Sequence, residues 1–99
     1  ERCLMSSCIV GVVNKNDLKK YDIYAGAGYQ SISGFEVEVM LAENPEVLEG
    51  SFEGTTLIVM KFKGDDDALK WYKSEAYQTA IPIRHAAADT AFMIHFLSA

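Results

Sequence analysis

Hydrophobic and polar positions along this chain switch between period two, the spacing of a strand, and period 3.6, the spacing of a helix. Residues 3–13, rich in Val, Ile, Cys and Met, predict a strand bounded by Asn14, Lys15, Asn16 and Asp17. Asn14 or Asn16 is placed to cap a helix, because a short side-chain acceptor there satisfies an orphan amide. Leu18, Tyr21, Ala25, Gly28 and Ile32 then recur at helical spacing, and Ser33-Gly34 ends the run. Phe35, Val37, Val39 and Leu41 alternate with Glu36, Glu38 and Met40, which predicts a second strand. Asn44-Pro45 breaks or bulges that strand, residues 46–50 resume it, and residues 51–54 turn the chain into a third strand over 55–62. Asp65, Asp66 and Asp67 open a helix through Lys73, where their charge complements the helix dipole. Ser74 caps the next helix, on which Tyr77, Ala80, Ile81, Arg84 and Ala88 share a face; Pro82 kinks it or marks a boundary. Residues 91–97 make the last strand.

Strand, helix, strand, strand, helix, helix, strand is a split βαβ order, which predicts an α+β, ferredoxin-like domain with helices on one face of a four-stranded antiparallel sheet. The strands are apolar on both faces, whereas the free face of such a sheet normally carries polar residues. Phe92, Ile94 and Phe96 form one row of the last strand, and Ala91, Met93 and Leu97 form another around His95. The bulkier rows, Phe92, Ile94 and Phe96 with Ile58, Met60 and Phe62, are expected to meet the helices. Leu57, Val59, Lys61, Met93, His95 and Leu97 are then left on the other face. The economical cover for that face is a second copy of the same sheet, because closed two-fold dimers are the commonest assembly.

At 99 residues the chain has room for one domain, and with 49% hydrophobic and 23% charged residues it is globular. The net charge of −5 with scattered Lys and Arg argues against nucleic acid. No apolar run approaches the roughly 20 residues that span a bilayer. The first residues lack the apolar core and cleavage site of a signal peptide, and the absence of an initiator Met points to a trimmed start. Cys3 and Cys8 fall on opposite faces of the predicted strand and cannot bridge within it; two free thiols fit a cytoplasmic location. No cysteine or histidine spacing calls for a metal or cofactor.

The most specific stretch reads Phe62-Lys63-Gly64, three aspartates, Ala68-Leu69-Lys70-Trp71-Tyr72-Lys73-Ser74, then Glu75-Ala76-Tyr77 and Arg84. It resembles the family catalogued as domain of unknown function 1330, whose members typically read Glu-Phe-Pro-Ser, a short helix ending Trp-Tyr-x-Ser, then a Tyr and an Arg. The resemblance extends to Tyr21, Tyr24 and Val47-Leu48-Glu49-Gly50. It implies a dimeric α/β barrel, in which two ferredoxin-like sheets face each other around a cavity. The chain departs from the pattern at Lys61, where the family has Glu, and at Ser33-Gly34 and the two following glutamates, where Gly-Gly and an Arg are common. The signs of an ion pair are thus exchanged.

Candidate chemistry is sparse. His95 is the candidate acid or base, since a histidine can exchange a proton near neutral pH. Placed on the dimer-facing side with Lys61, Glu36 and Glu38, it would belong to a polar group inside an apolar barrel, suited to a small acidic or aromatic ligand. The competing reading has Lys61 and the glutamates pairing at the surface. Arg84, among apolar neighbours, must find a carboxylate, a carbonyl or a ligand oxygen. Trp71, Tyr72 and Tyr77 read first as core, with polar tips able to border a cleft. Two functions follow: a homodimer holding a small molecule between its sheets, up to a cofactor-independent enzyme, or a non-enzymatic dimeric module whose interface is filled by side chains.

Overall fold

The computed structural model describes residues 5–99. The elements are β1 (Ser6–Lys15), α1 (Leu18–Ser31), β2 (Val37–Glu43), β3 (Thr56–Phe62), α2 (Asp67–Lys73), α3 (Glu75–Ala87) and β4 (Ala88–Ser98). The strands form one sheet in the order β2-β3-β1-β4, every neighbouring pair antiparallel. This is the expected ferredoxin-like α+β arrangement. Residue Cys3 lies outside the described residues, and with it the expectation about the two cysteines; Cys8 is buried and unpaired.

Cross-strand partners share a sheet face, so the register assigns every side chain. Ile9, Val13, Met60 and Phe62 join Tyr21, Tyr24, Ala68, Trp71, Tyr77, Ala80 and Ala87 in one buried cluster between sheet and helices. Phe62 meets Trp71 at 5.7 Å between ring centroids, and Trp71 meets Tyr77 at 4.0 Å. Burying such rings contributes on the order of 1.5–3 kcal/mol each, which makes this aromatic stack the main anchor of α2 and α3.

Helix ends follow from local hydrogen bonds. Asp17, rather than Asn14 or Asn16, caps α1, accepting from the Lys20 amide at 3.1 Å. β1 runs on to Lys15, and the Asn16 and Asp17 amides donate to the Ala87 carbonyl, which delays the helix start. Ser74 caps α3 as expected, accepting from the Tyr77 amide. In the acidic run, Asp67 accepts from the Gly64 amide at 3.2 Å, a local turn contact. Pro82 lies inside the continuous helix α3. Residues 46–50 form no strand: the β2–β3 ladder ends at the Glu43–Thr56 pair, the Asn44 amide still donates to the Thr55 carbonyl, and Asn44, at φ 50°, then turns the chain out of the ladder. The chain then returns across the sheet at Gly54, where a Cβ would stand 2.7 Å from the Val12 side chain.

The faces of β4 are the reverse of those expected. Thr90 pairs with Val13, but Phe92 pairs with Val12, leaving Ala91 as an extra residue at a bulge. One extra residue exchanges the faces of everything after it. Met93, His95 and Leu97 therefore stand opposite Gly11, Ile9 and Ser7 on the helix side, while Phe92, Ile94 and Phe96 stand opposite Val12, Val10 and Cys8 on the open side. Leu57, Val59 and Lys61 are on the open side as expected, joined there by Met40 and Glu38. Phe92, Ile94 and Phe96 are 44%, 51% and 41% exposed in the single chain.

Candidate ligand cavity between the first helix and the sheet

Helix α1 packs chiefly on α3 and does not close down on the edge strand β2. The helix-facing row of β2, Val39 and Leu41, is left without cover, and a cavity of about 510 Å³ opens beneath α1. Ile58, Met60, Val39 and Leu41 form its floor; Tyr21, Tyr24 and Gly28 form the helix wall; Trp71 closes one end. Helical spacing puts Tyr21, Tyr24 and Gly28 on one face. Gly28, with no side chain, leaves room beside the Tyr24 ring, whose Cζ would lie 3.9 Å from an added Cβ. Trp71 is fixed by donating its indole N–H to Ser31 Oγ at 2.8 Å, and Ser31 in turn donates to the Gly28 carbonyl at 2.6 Å.

A polar rim lies at the other end. Lys15 Nζ donates to Glu43 Oε2 at 3.0 Å and stands 4.5 Å from the centroid of the Tyr21 ring, and Thr56 donates to Glu43 Oε1 at 3.0 Å. Hydrogen bonding from Lys15 pulls the Glu43 carboxyl below its ordinary range, against a smaller opposing effect of burial and with help from Thr56. Burial, followed by the nearby Tyr24 and Glu43, pushes the Tyr21 phenol up to about 12. Tyr21 is thus a protonated donor at neutral pH. A depressed carboxyl stabilises the fold above its unfolded pKa, and that contribution disappears as pH falls through the folded value. NMR titration of Glu43 should give a midpoint below that of an ordinary glutamate, and Lys15→Met should return it towards the ordinary value; an unchanged midpoint would remove the ion pair from the rim.

Behind the Tyr24 wall sits Arg84, 3% exposed. Its Nη1 donates to Tyr77 Oη at 2.5 Å, and the Tyr77 and Tyr24 hydroxyls are 2.7 Å apart. Its Nη2 is 3.4 Å from His85 Nε2, and its Nε is buried without a partner. Among the described residues no carboxylate pairs with Arg84. Burial works against its charge, yet the phenols of Tyr77 and Tyr24 outweigh burial and hold the guanidinium above its ordinary pKa. The Tyr77 phenol is pushed up by burial and by Tyr24.

The residues singled out in the sequence thus separate into three places. Trp71 lines the cavity, with Tyr77 and Arg84 immediately behind it. Lys61, Glu36 and Glu38 do come together, Glu38 opposite Lys61, in a shallow groove that also holds Lys63. There the charges are solvated, and the Lys63–Glu36 pair at 3.5 Å is fully at the surface, where such pairs contribute little. His95 is exposed on the opposite sheet face from Lys61, so the expected His95–Lys61 constellation does not form. The bulkier row of β4, Phe92, Ile94 and Phe96, lies on the open side instead of meeting the helices. Among the described residues no cluster of three His, Cys, Asp or Glu could hold a metal, and no helix is long and apolar enough to cross a membrane. The mark of this cavity in the sequence is a pair of tyrosines, Tyr21 and Tyr24, sharing one helical stripe with Gly28.

A family model described as "Domain of unknown function (DUF1330)" matches residues 7–96. The chain belongs to this family. No curated protein matches it. Among solved structures, a dimeric ferredoxin-like protein of unknown function from Thermobifida fusca is 11% identical, with a TM-score of 0.63 over 100% of this chain and 94% of that one. A protein of unknown function from Rhodopseudomonas palustris is 14% identical, with a TM-score of 0.68 over 96% and 82%. SnoaB, a cofactor-independent oxygenase from Streptomyces nogalater, is 10% identical, with a TM-score of 0.54 over 95% and 92%. At these identities the likeness establishes the fold that this DUF1330 chain shares with them, and the fold alone.

Proposed function

We propose that this DUF1330 chain is a homodimeric small-molecule-binding protein whose ligand occupies the cavity beneath α1. The carrying observation is the cavity of about 510 Å³, with an apolar floor, aromatic walls and a few convergent polar groups, the composition typical of ligand sites. It lies on the helix side of the sheet, so it is not the space that two paired sheets would enclose. The dimer rests on separate support. Phe92, Ile94, Phe96 and Met40 are exposed together on the open face, the kind of contiguous apolar surface that marks an interface. The Thermobifida fusca neighbour of the same fold is described as dimeric.

A stronger form makes the protein a cofactor-independent enzyme, as SnoaB is described to be. The groups available for such chemistry are the Tyr21 and Tyr24 phenols and the Lys15–Glu43 pair, which suit polarising a substrate oxygen or moving a proton rather than forming a covalent intermediate. The alternative, a non-enzymatic module with faces filled by the partner copy, leaves the cavity unused. Native mass spectrometry of protein purified from its host should reveal a retained small molecule on a dimer. Gly28→Leu, which projects a side chain into the cavity, should abolish its retention without loss of helical signal. Retention unaffected by Gly28→Leu would place the ligand elsewhere, and a dimer that retains nothing and takes up no aromatic probe would leave the filled module as the function.

A further inference from the structure

Resting on the cavity reading above, the hydrogen-bond chain behind the cavity carries a direction that specifies the ligand. A guanidinium has donors only, so Arg84 Nη1 must donate to Tyr77 Oη. Tyr77 is fully buried and its hydroxyl has one further partner, Tyr24 Oη at 2.7 Å. If Tyr24 donated in that contact, the Tyr77 proton would be buried with no acceptor, at the cost of a lost hydrogen bond. The favourable order is therefore Arg84 to Tyr77, Tyr77 to Tyr24, which leaves the Tyr24 proton without an acceptor among the described residues. Tyr24 is also the member of the chain that lines the cavity.

We propose that the Arg84–Tyr77–Tyr24 chain presents the Tyr24 O–H to the cavity as a polarised donor, and that the ligand is a planar apolar molecule bearing a negatively charged oxygen, such as a carboxylate or phenolate. Tyr24 is the binding group; Tyr77 and Arg84 are positioning residues that act through it. The buried Arg84 charge has no carboxylate among its described partners and an unpartnered Nε, so the local field behind Tyr24 is positive. Successive donors in such a chain polarise one another. The charged oxygen belongs at the Tyr24 end, because Lys15 on the lining is already paired with Glu43 and Asp22 adds negative charge. The aromatic body then lies over Ile58 and Met60 against Trp71.

The test uses 2-naphthoate and its neutral counterpart 2-methylnaphthalene as probes, followed through the single indole N–H resonance of Trp71. The intact protein should bind naphthoate at least about tenfold more tightly, the ratio expected of one hydrogen bond to a charged group. Tyr24→Phe should abolish that preference while leaving 2-methylnaphthalene affinity nearly unchanged, which a merely structural defect would not do. Arg84→Met should reduce the preference in the same sense; should that variant fail to fold, Tyr24→Phe decides alone. Equal binding of both probes to the intact protein, or a preference surviving Tyr24→Phe, overturns the proposal and leaves the cavity reading intact. Failure of both probes to bind overturns both.

Discussion

Replacing Arg84 by alanine is expected to lower the unfolding free energy by about 2–4 kcal/mol, the range for emptying a large buried side chain. Two effects add: the space that the Arg84 stem fills between Tyr24 and Met93 is emptied, and the Tyr77 hydroxyl loses a charge-assisted donor. One effect opposes them. Arg84 carries a charge buried without a carboxylate, so its removal also relieves a desolvation cost. Arg84→Met separates these contributions, since it keeps the volume and discards the charge. It is expected to change stability by under about 1 kcal/mol, or to stabilise, as apolar replacements of buried charges often do. Urea denaturation of both variants gives the answer. A large loss in Arg84→Met would mean that the guanidinium is held for stability; a small one leaves function as the reason a charge remains in this core. An alanine effect below about 0.5 kcal/mol would place Arg84 in a surface-like setting.

Burial of Arg84 was legible from its apolar neighbours on a helical face, and so was the aromatic core around Trp71 and Tyr77, because the 3.6-residue period survives folding unchanged. The succession of strands and helices was legible because their two periods differ, and that succession implies the sheet. What escaped is what periodicity does not encode. The bulk of a row does not say which way it points: beyond the irregularity at Ala91 the register sets His95 opposite Ile9 on the helix side and the bulkier Phe92, Ile94 and Phe96 on the open side. Nothing in the alternation of residues 91–97 marks the bulge, because both rows are apolar apart from His95. The strand expected at residues 46–50 needed the β2–β3 ladder to run past the Glu43–Thr56 pair, where Asn44 leaves it at a positive φ. The cavity arises from where α1 leans, a tertiary choice made by its contact with α3 that leaves Val39 and Leu41 exposed although they face the helices. The phenol partners of Arg84 come from two helices 53 residues apart at their Tyr24–Tyr77 contact, a separation no local motif records.

Ile94→Asp is expected to raise the dimer dissociation constant by about two to three decades or more, with little effect on the fold of each chain. Ile94 is the middle of the aromatic and aliphatic row on the open face and sits opposite Val10 in the register. In the single chain it is half exposed, so an aspartate there can be hydrated and the isolated fold tolerates it. In a dimer closed through this face the same carboxylate is desolvated, and the two-fold axis repeats the change on the partner copy. An unpaired buried charge costs about 3–5 kcal/mol, and each 1.4 kcal/mol is tenfold in affinity. Sedimentation velocity across micromolar concentrations should therefore show a dimer for the unmodified chain and a monomer for Ile94→Asp, with unchanged circular dichroism. Leu97→Asp, one strand-turn away but on the helix side of the same strand, should leave the dimer intact, because the register points it away from the open face. If Leu97→Asp dissociates the dimer and Ile94→Asp does not, the bulge at Ala91 is misplaced; if the unmodified chain sediments as a monomer, the apolar open face has some other partner.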